Sequence, residues 1–150
     1  LIFGGDGQVK DDKGKRTKAV PATLEVGMTE ANFSNKNLAA GGAIIISAWI
    51  THTDDGAISL VNVMGNSIGK EQLSKLQEIM HSKPNLMSLC GIADDATEAD
   101  LSGLGMDADD AIILASELPD KGAMTSLNLA SNKLGVEGAK IIAACLPKCT

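Results

Sequence analysis

Residues 122–135 (Gly-Ala-Met-Thr-Ser-Leu-Asn-Leu-Ala-Ser-Asn-Lys-Leu-Gly) lie over residues 56–69 (Gly-Ala-Ile-Ser-Leu-Val-Asn-Val-Met-Gly-Asn-Ser-Ile-Gly) at an offset of 66, with the apolar rows, both Asn and the terminal glycines coinciding. Residues 97–102 match residues 29–34 at an offset of 68. A chain that repeats itself on this scale builds from stacked supersecondary units, each burying its apolar side against the next. Function is then expected on a surface, because such a stack has no evident interior cleft.

The alignment predicts short strands near 31–33, 61–63, 86–90, 99–101 and 127–129, with helical stretches between most of them. Ala139, Ile142, Ala143 and Leu146 fall at helical spacing on one expected face, and their counterparts are Ala111, Leu114, Ala115 and Leu118, then Leu73, Leu76, Gln77 and Met80, then Ala43, Ile46, Ser47 and Ile50. Only 10 residues separate Leu89 from Ala99, too few for a helix, so the chain is expected to pass there through an acidic loop at 93–96. Asp107 and Asp109 sit where a helix should begin and read as capping residues. Pro84, Pro119 and Pro147 read as helix stops. Residues 1–28 are turn-rich, with a β-prone stretch at 20–26, and read as an N-terminal cap; residues 29–150 form the repeat array. Leu127 and Leu129 are expected to be buried, beside Val63 and Leu101. The helix ending near Leu146 should leave an apolar end that a partner chain or continuation residues would cover.

Met124-x-x-Leu127-x-Leu129-x-x-Asn132-x-Leu134 resembles the strand motif of leucine-rich repeats. The spacing of 28 and the Gly138-Ala139-x-x-Ile142-Ala143-x-x-x-Leu146 helix are similar to the ribonuclease-inhibitor-like subclass, and to a variant found in leucine-rich proteins of microalgae and protists. The resemblance implies an α/β leucine-rich repeat solenoid, with short parallel strands on a concave, protein-binding face and helices on the convex face. It further implies that Asn66 and Asn132 hydrogen-bond backbone in the turns. Lys36 and Leu104 stand where that Asn is expected, and Gly91 replaces an apolar strand residue, so the stack should bend or tighten around 91–104.

A net charge of −6 argues against nucleic acid, which selects clustered Lys and Arg. The basic residues between 10 and 18 are interleaved with Asp11 and Asp12 and read as a solvated hairpin or loop. With 44% hydrophobic and 21% charged residues the chain should fold, and no apolar run is long enough to span a bilayer. Three cysteines (90, 145 and 149) without paired spacing suggest reduced thiols, hence an intracellular protein, cytoplasmic rather than organellar, although a processed N-terminus leaves an organelle open. The sequence Gly65-Asn66-Ser67-Ile68-Gly69-Lys70 fails as a phosphate loop, having three residues where four are needed and Glu71 in place of Ser or Thr. His52 and His81 lack metal-ligand spacing, and the acidic clusters do not follow a calcium loop. No catalytic residue, cofactor or metal is therefore expected. What remains is a non-catalytic protein-interaction or scaffolding module, or alternatively a structural subunit held permanently in a larger assembly. The outward strand rows are expected to be Glu30, Leu60, Ser88, Glu98 and Ser126, and Asn32, Asn62, Cys90, Asp100 and Asn128. Glu30, Asn32, Asn62, Glu98, Asp100, Ser126, Asn128 and Trp49 are the candidate partner-binding residues, with Trp49 half-exposed on the helix side.

Overall fold

A computed structural model describes residues 2–3, 9–10, 16–17, 22–25, 27–53 and 57–146. From residue 30 onward a strand–helix pair recurs: β5 (Glu30–Asn32), α1 (Ala39–His52), β6 (Leu60–Asn62), α2 (Lys70–Ser82), β7 (Glu98–Asp100), α3 (Ala108–Glu117), β8 (Ser126–Asn128) and α4 (Gly135–Cys145). A single 3-10 turn, Leu118–Asp120, extends α3 at Pro119. Before them, β1 (Ile2–Phe3) pairs antiparallel with β4 (Ala22–Thr23), and β2 (Val9–Lys10) pairs antiparallel with β3 (Arg16–Thr17). β4 falls in the β-prone stretch, whereas the turn-rich residues 4–7 and 12–15 lie outside the described residues.

β5 pairs with β6 and β7 with β8, both in parallel and in the same register: Glu30 faces Leu60 as Glu98 faces Ser126, and Asn32 faces Asn62 as Asp100 faces Asn128. The class is therefore mixed α/β, with four helices and two short parallel strand pairs among the described residues. Each strand begins one residue earlier than the sequence suggests. The expected strand at 86–90 is not one: residues 88 and 90 make only isolated bridges to Leu60 and Asn62, and no ladder joins β6 to β7 among the described residues. No helix lies between 83 and 97, as the short interval requires.

Alternation along the strands sends the middle residue inward, so Ala31 and Val61 are buried and Ala99 and Leu127 half-buried. They meet the inner faces of the helices at Ala43, Ile46 and Ile50, at Leu73 and Leu76, and at Ala111 and Leu114. Phe33, Val63, Met64, Leu89, Leu101, Met106 and Ile113 fill the layer between, and Leu24 closes its leading side. Each such aliphatic side chain contributes about 1.5–3 kcal/mol by leaving water.

The last unit departs from expectation. In α4 the buried residues are Gly138, Ile142 and Cys145, which turn toward α3, whereas Ala139, Ala143 and Leu146 are exposed. Leu127 and Leu129 are only half-buried. The equivalent Val61 and Val63 are fully buried, lying beneath the bridges and loop at 86–92. Pro147 lies outside the described residues.

Where β6 ends, Gly65 has φ +70°, and a Cβ there would collide with the carbonyl of Leu104. Glycine is required because the turns after β6 and β7 touch backbone to backbone. The amide of Gly65 also donates to Asp110 Oδ2 at 3.2 Å.

Candidate functional site

The last residue of each strand does the same local job. Asn32 Oδ1 accepts from Ser34 N at 3.0 Å, Asn62 Oδ1 from Met64 N at 3.0 Å, Asp100 Oδ1 from Ser102 N at 2.9 Å and Asn128 Oδ1 from Ala130 N at 3.0 Å. A side-chain oxygen that binds the amide two residues on turns the chain out of the strand, which explains Asn or Asp in this row. The bonds from the Ser102 hydroxyl and amide, joined by Asn128, hold the Asp100 carboxyl below the usual carboxylate range.

Glu30, Asn32, Glu98, Asp100, Ser126 and Asn128 are exposed on the strand side, and Leu60 and Asn62 are partly so. Ser88 and Cys90 are not in that surface. Both are fully buried, because the chain there curls inward instead of running as a strand. A shallow depression of about 310 Å³ opens between Glu30, Asn32, Leu60, Asn62 and Gly91. Gly91, at φ +72°, keeps it open, since a Cβ would stand 2.8 Å from Asn62 Cβ.

The inward curl is organised by Glu117 at the end of α3. Its Oε2 accepts from Ser88 Oγ at 2.6 Å and its Oε1 from Leu89 N at 2.7 Å, while Ser88 Oγ in turn accepts from Cys90 N at 3.0 Å and Ile92 N at 3.1 Å. Lys121, also buried, donates to Met87 O at 3.3 Å and pairs with Asp94. Polar groups of one loop are thus satisfied by a carboxylate and an ammonium from the α3 end, where neighbouring units have a helix instead. Burial pushes the Glu117 carboxyl up, against the hydrogen bonds from Ser88 and Leu89 and the charge of Lys121. Burial, then the Glu117 carboxylate, pushes the Cys90 thiol well up, so this cysteine is no thiolate nucleophile. The sequence reading passed over this network. Its only trace was an acid, Glu117, in a row otherwise filled by Trp49, Ile79 and Cys145.

Asp107 caps α3 as expected: its Oδ1 accepts from Asp109 N at 3.0 Å and Asp110 N at 3.2 Å. Asp110 completes a capping box by accepting from Asp107 N at 3.0 Å, on the same Oδ2 that binds Gly65 N. Desolvation raises its carboxyl to about 6, and repulsion from Asp107 and Asp109 adds to this against the two amide bonds. A raised pKa means the folded state holds the proton more tightly than the unfolded chain. Asp110 therefore favours folding fully below its unfolded value near 3.8, and that contribution is lost as pH rises through about 6. Asn in its place can present one oxygen to both amides without the charge. Asp110→Asn is expected to raise stability by about 1–2 kcal/mol at pH 8 and to leave it unchanged or lower near pH 4. Urea melts at the two pH values check this, and a variant less stable at both would refute it.

The turn asparagines behave as the resemblance implies. Asn66 is buried; its Oδ1 accepts from Lys36 N at 2.8 Å and Leu38 N at 3.3 Å, and its Nδ2 donates to Phe33 O at 2.7 Å and Val63 O at 2.8 Å. Asn132, half-buried, accepts from Met106 N and donates to Leu101 O and Leu129 O. Each Asn stitches its own turn to the turn of the preceding unit.

Trp49 is half-buried and meets Phe33 edge to face, ring centroids 6.1 Å apart at 85°. His52 and His81 are exposed at the ends of α1 and α2. Cys145 is buried and Cys149 lies outside the described residues. Among the described residues no cluster of His, Cys, Asp or Glu could hold a metal ion, and no helix is long and apolar enough to cross a membrane. Beside β8 and α4 a hollow of about 270 Å³ is lined by Leu118, Met124, Leu127 and Leu146 together with Lys121, Gly122, Thr125 and Ser126. No protein-family model matches the chain, and no curated protein or solved structure is detectably similar to it.

Proposed function

We propose that the chain is a leucine-rich-repeat-type solenoid that acts as a non-catalytic protein-interaction module in a reducing, intracellular setting. The recurring strand–helix units and the equivalent bonding of Asn66 and Asn132 support the architecture. The observation that carries the function is the strand-side surface: Glu30, Glu98 and Ser126 beside Asn32, Asp100 and Asn128, exposed, with the backbone beneath pre-set by four side-chain turns. A surface ordered before its partner arrives loses little entropy on binding. Its carboxylates suit a basic partner. Affinity capture should identify that partner, and Glu98→Lys with Asp100→Lys should then slow association by about tenfold at low salt and flatten its salt dependence. Binding that survives both reversals but fails in Trp49→Ala would move the docking site to the helix side.

A second reading, a subunit held in a larger assembly, is favoured by the apolar side chains exposed beside β8 and α4. Leu146 is 54% exposed there, and Leu118, Met124 and Leu127 line the adjoining hollow together with Lys121, Thr125 and Ser126. Exposed apolar side chains gathered beside a hollow ordinarily mark an interaction surface.

A further inference from the structure

The two parallel strand pairs differ in one outward position. In β7 and β8 Glu98 faces Ser126, whereas in β5 and β6 Glu30 faces Leu60. Leu60 is partly exposed, because its neighbour Val61 takes the inward place. Two residues along the strands, about 6.5 Å away, Asn32 faces Asn62. These two rows and Gly91 surround the depression of about 310 Å³. Its ends have opposite chemistry. At one end stands the Glu30 carboxylate, which takes part in neither of the two ion pairs among the described residues. At the other stand two amides whose orientation the turns fix. Asn62 Oδ1 accepts from Met64 N, and Asn32 Oδ1 accepts from Ser34 N and, at 2.7 Å, from Ser34 Oγ. With their oxygens engaged, both present NH2 groups to a ligand. Asn62 Nδ2 lies 3.2 Å from where a Gly91 Cβ would be, so it stands at the rim that Gly91 keeps open.

We propose, building on the strand side as the interaction face, that this depression is a subsite for one arginine of the partner. The guanidinium meets Glu30, the methylene stem lies along Leu60, and the main-chain carbonyl of the same residue accepts from the Asn62 end. A guanidinium fork matches a carboxylate through two parallel hydrogen bonds. Its stem covers aliphatic surface while the charged head stays in water, and it is long enough to cross between the two rows. A neutral side chain would gain nothing from Glu30, and an acidic one would be repelled by it and by the −6 of the chain. In the other strand pair Ser126 takes away the aliphatic floor, which confines the subsite to β5 and β6.

The test needs no partner. The isotopically labelled 150-residue chain is titrated with N-acetyl-arginine amide and followed by backbone amide NMR, in about 0.1 M salt, where charges farther apart than roughly 10 Å are screened. Shifts are expected to cluster at Leu60, Asn62 and Gly91 and to saturate with a dissociation constant of about 1–10 mM. The neutral isostere N-acetyl-citrulline amide should bind about threefold more weakly, the scale of an exposed ion pair. Glu30→Gln should weaken the arginine probe about threefold and remove its advantage over citrulline. Leu60→Ser, which installs the residue of the other strand pair, should also weaken it, with the melting temperature of both variants nearly unchanged. Glu98→Gln with Asp100→Asn should leave binding as it is. Equal binding of the two probes, undiminished binding to Glu30→Gln, or shifts confined to other residues would overturn the subsite. The broader strand-side reading is decided separately, by the Glu98 and Asp100 reversals with the captured partner.

Discussion

Glu117→Ala is expected to lower stability by about 3–5 kcal/mol, the loss typical when one partner of a buried charged network is removed. For a chain of this length that corresponds to a fall in melting temperature of roughly 10 °C or more. The substitution removes the acceptor of both Ser88 Oγ and Leu89 N and a carboxyl that interacts electrostatically with buried Lys121, whose ion-pair partner Asp94 remains. Glutamine should not rescue it fully. Ser88 Oγ already accepts two amides, from Cys90 and Ile92, so toward residue 117 it can only donate; Leu89 N can only donate as well. The two donors sit on different oxygens, Oε2 and Oε1, so a glutamine would set its NH2 group against one of them. Glu117→Gln should thus cost about 1–3 kcal/mol, between the parent and alanine. Calorimetry on the three proteins checks the order, and a glutamine variant as stable as the parent would show that the carboxylate is dispensable.

Asn66→Ala should be comparably damaging, at about 3–5 kcal/mol, because it strands the amides of Lys36 and Leu38 and the carbonyls of Phe33 and Val63 in a site closed to water. Asn132→Ala should cost less, about 1 kcal/mol, since Asn132 is itself half-buried and its bonds lie nearer the surface than those of Asn66. The same substitution at two equivalent positions isolates burial as the variable. Equal losses in denaturant melts would mean that burial is not what makes Asn66 matter.

Much of this fold was legible because the repeat doubled every signal. Asn66 and Asn132, the glycines at 69 and 135, and the strands at 60–62 and 126–128 keep the offset of 66 in space as in sequence. The strand residues were legible in type and misread in role. Alternation correctly sends Asn32, Asp100 and Asn128 outward, yet their first partners are amides two residues on in their own chain, a local bond that hydrophobic patterning does not register. Residues 86–90 were misread as a strand because Leu86, Leu89 and Cys90 are as apolar as strand residues. What bends them inward is Ser88 and a carboxylate 29 residues later, a long-range pairing invisible to a local pattern.

The missing helix between α2 and α3 has a mechanical consequence. On either side of it the chain forms a β-α-β-α block, one spanning 30–82 and one spanning 98–145, each with its own hydrogen-bonded strand pair. The blocks are joined through the Gly65–Leu104 backbone contact, the Asp110 bond to Gly65, the Gln77–Ser116 bond at 3.0 Å and the Glu117 and Lys121 network. Under tension applied to its two ends, the molecule would yield first along this side-chain seam, and each block would come away with its strand ladder intact.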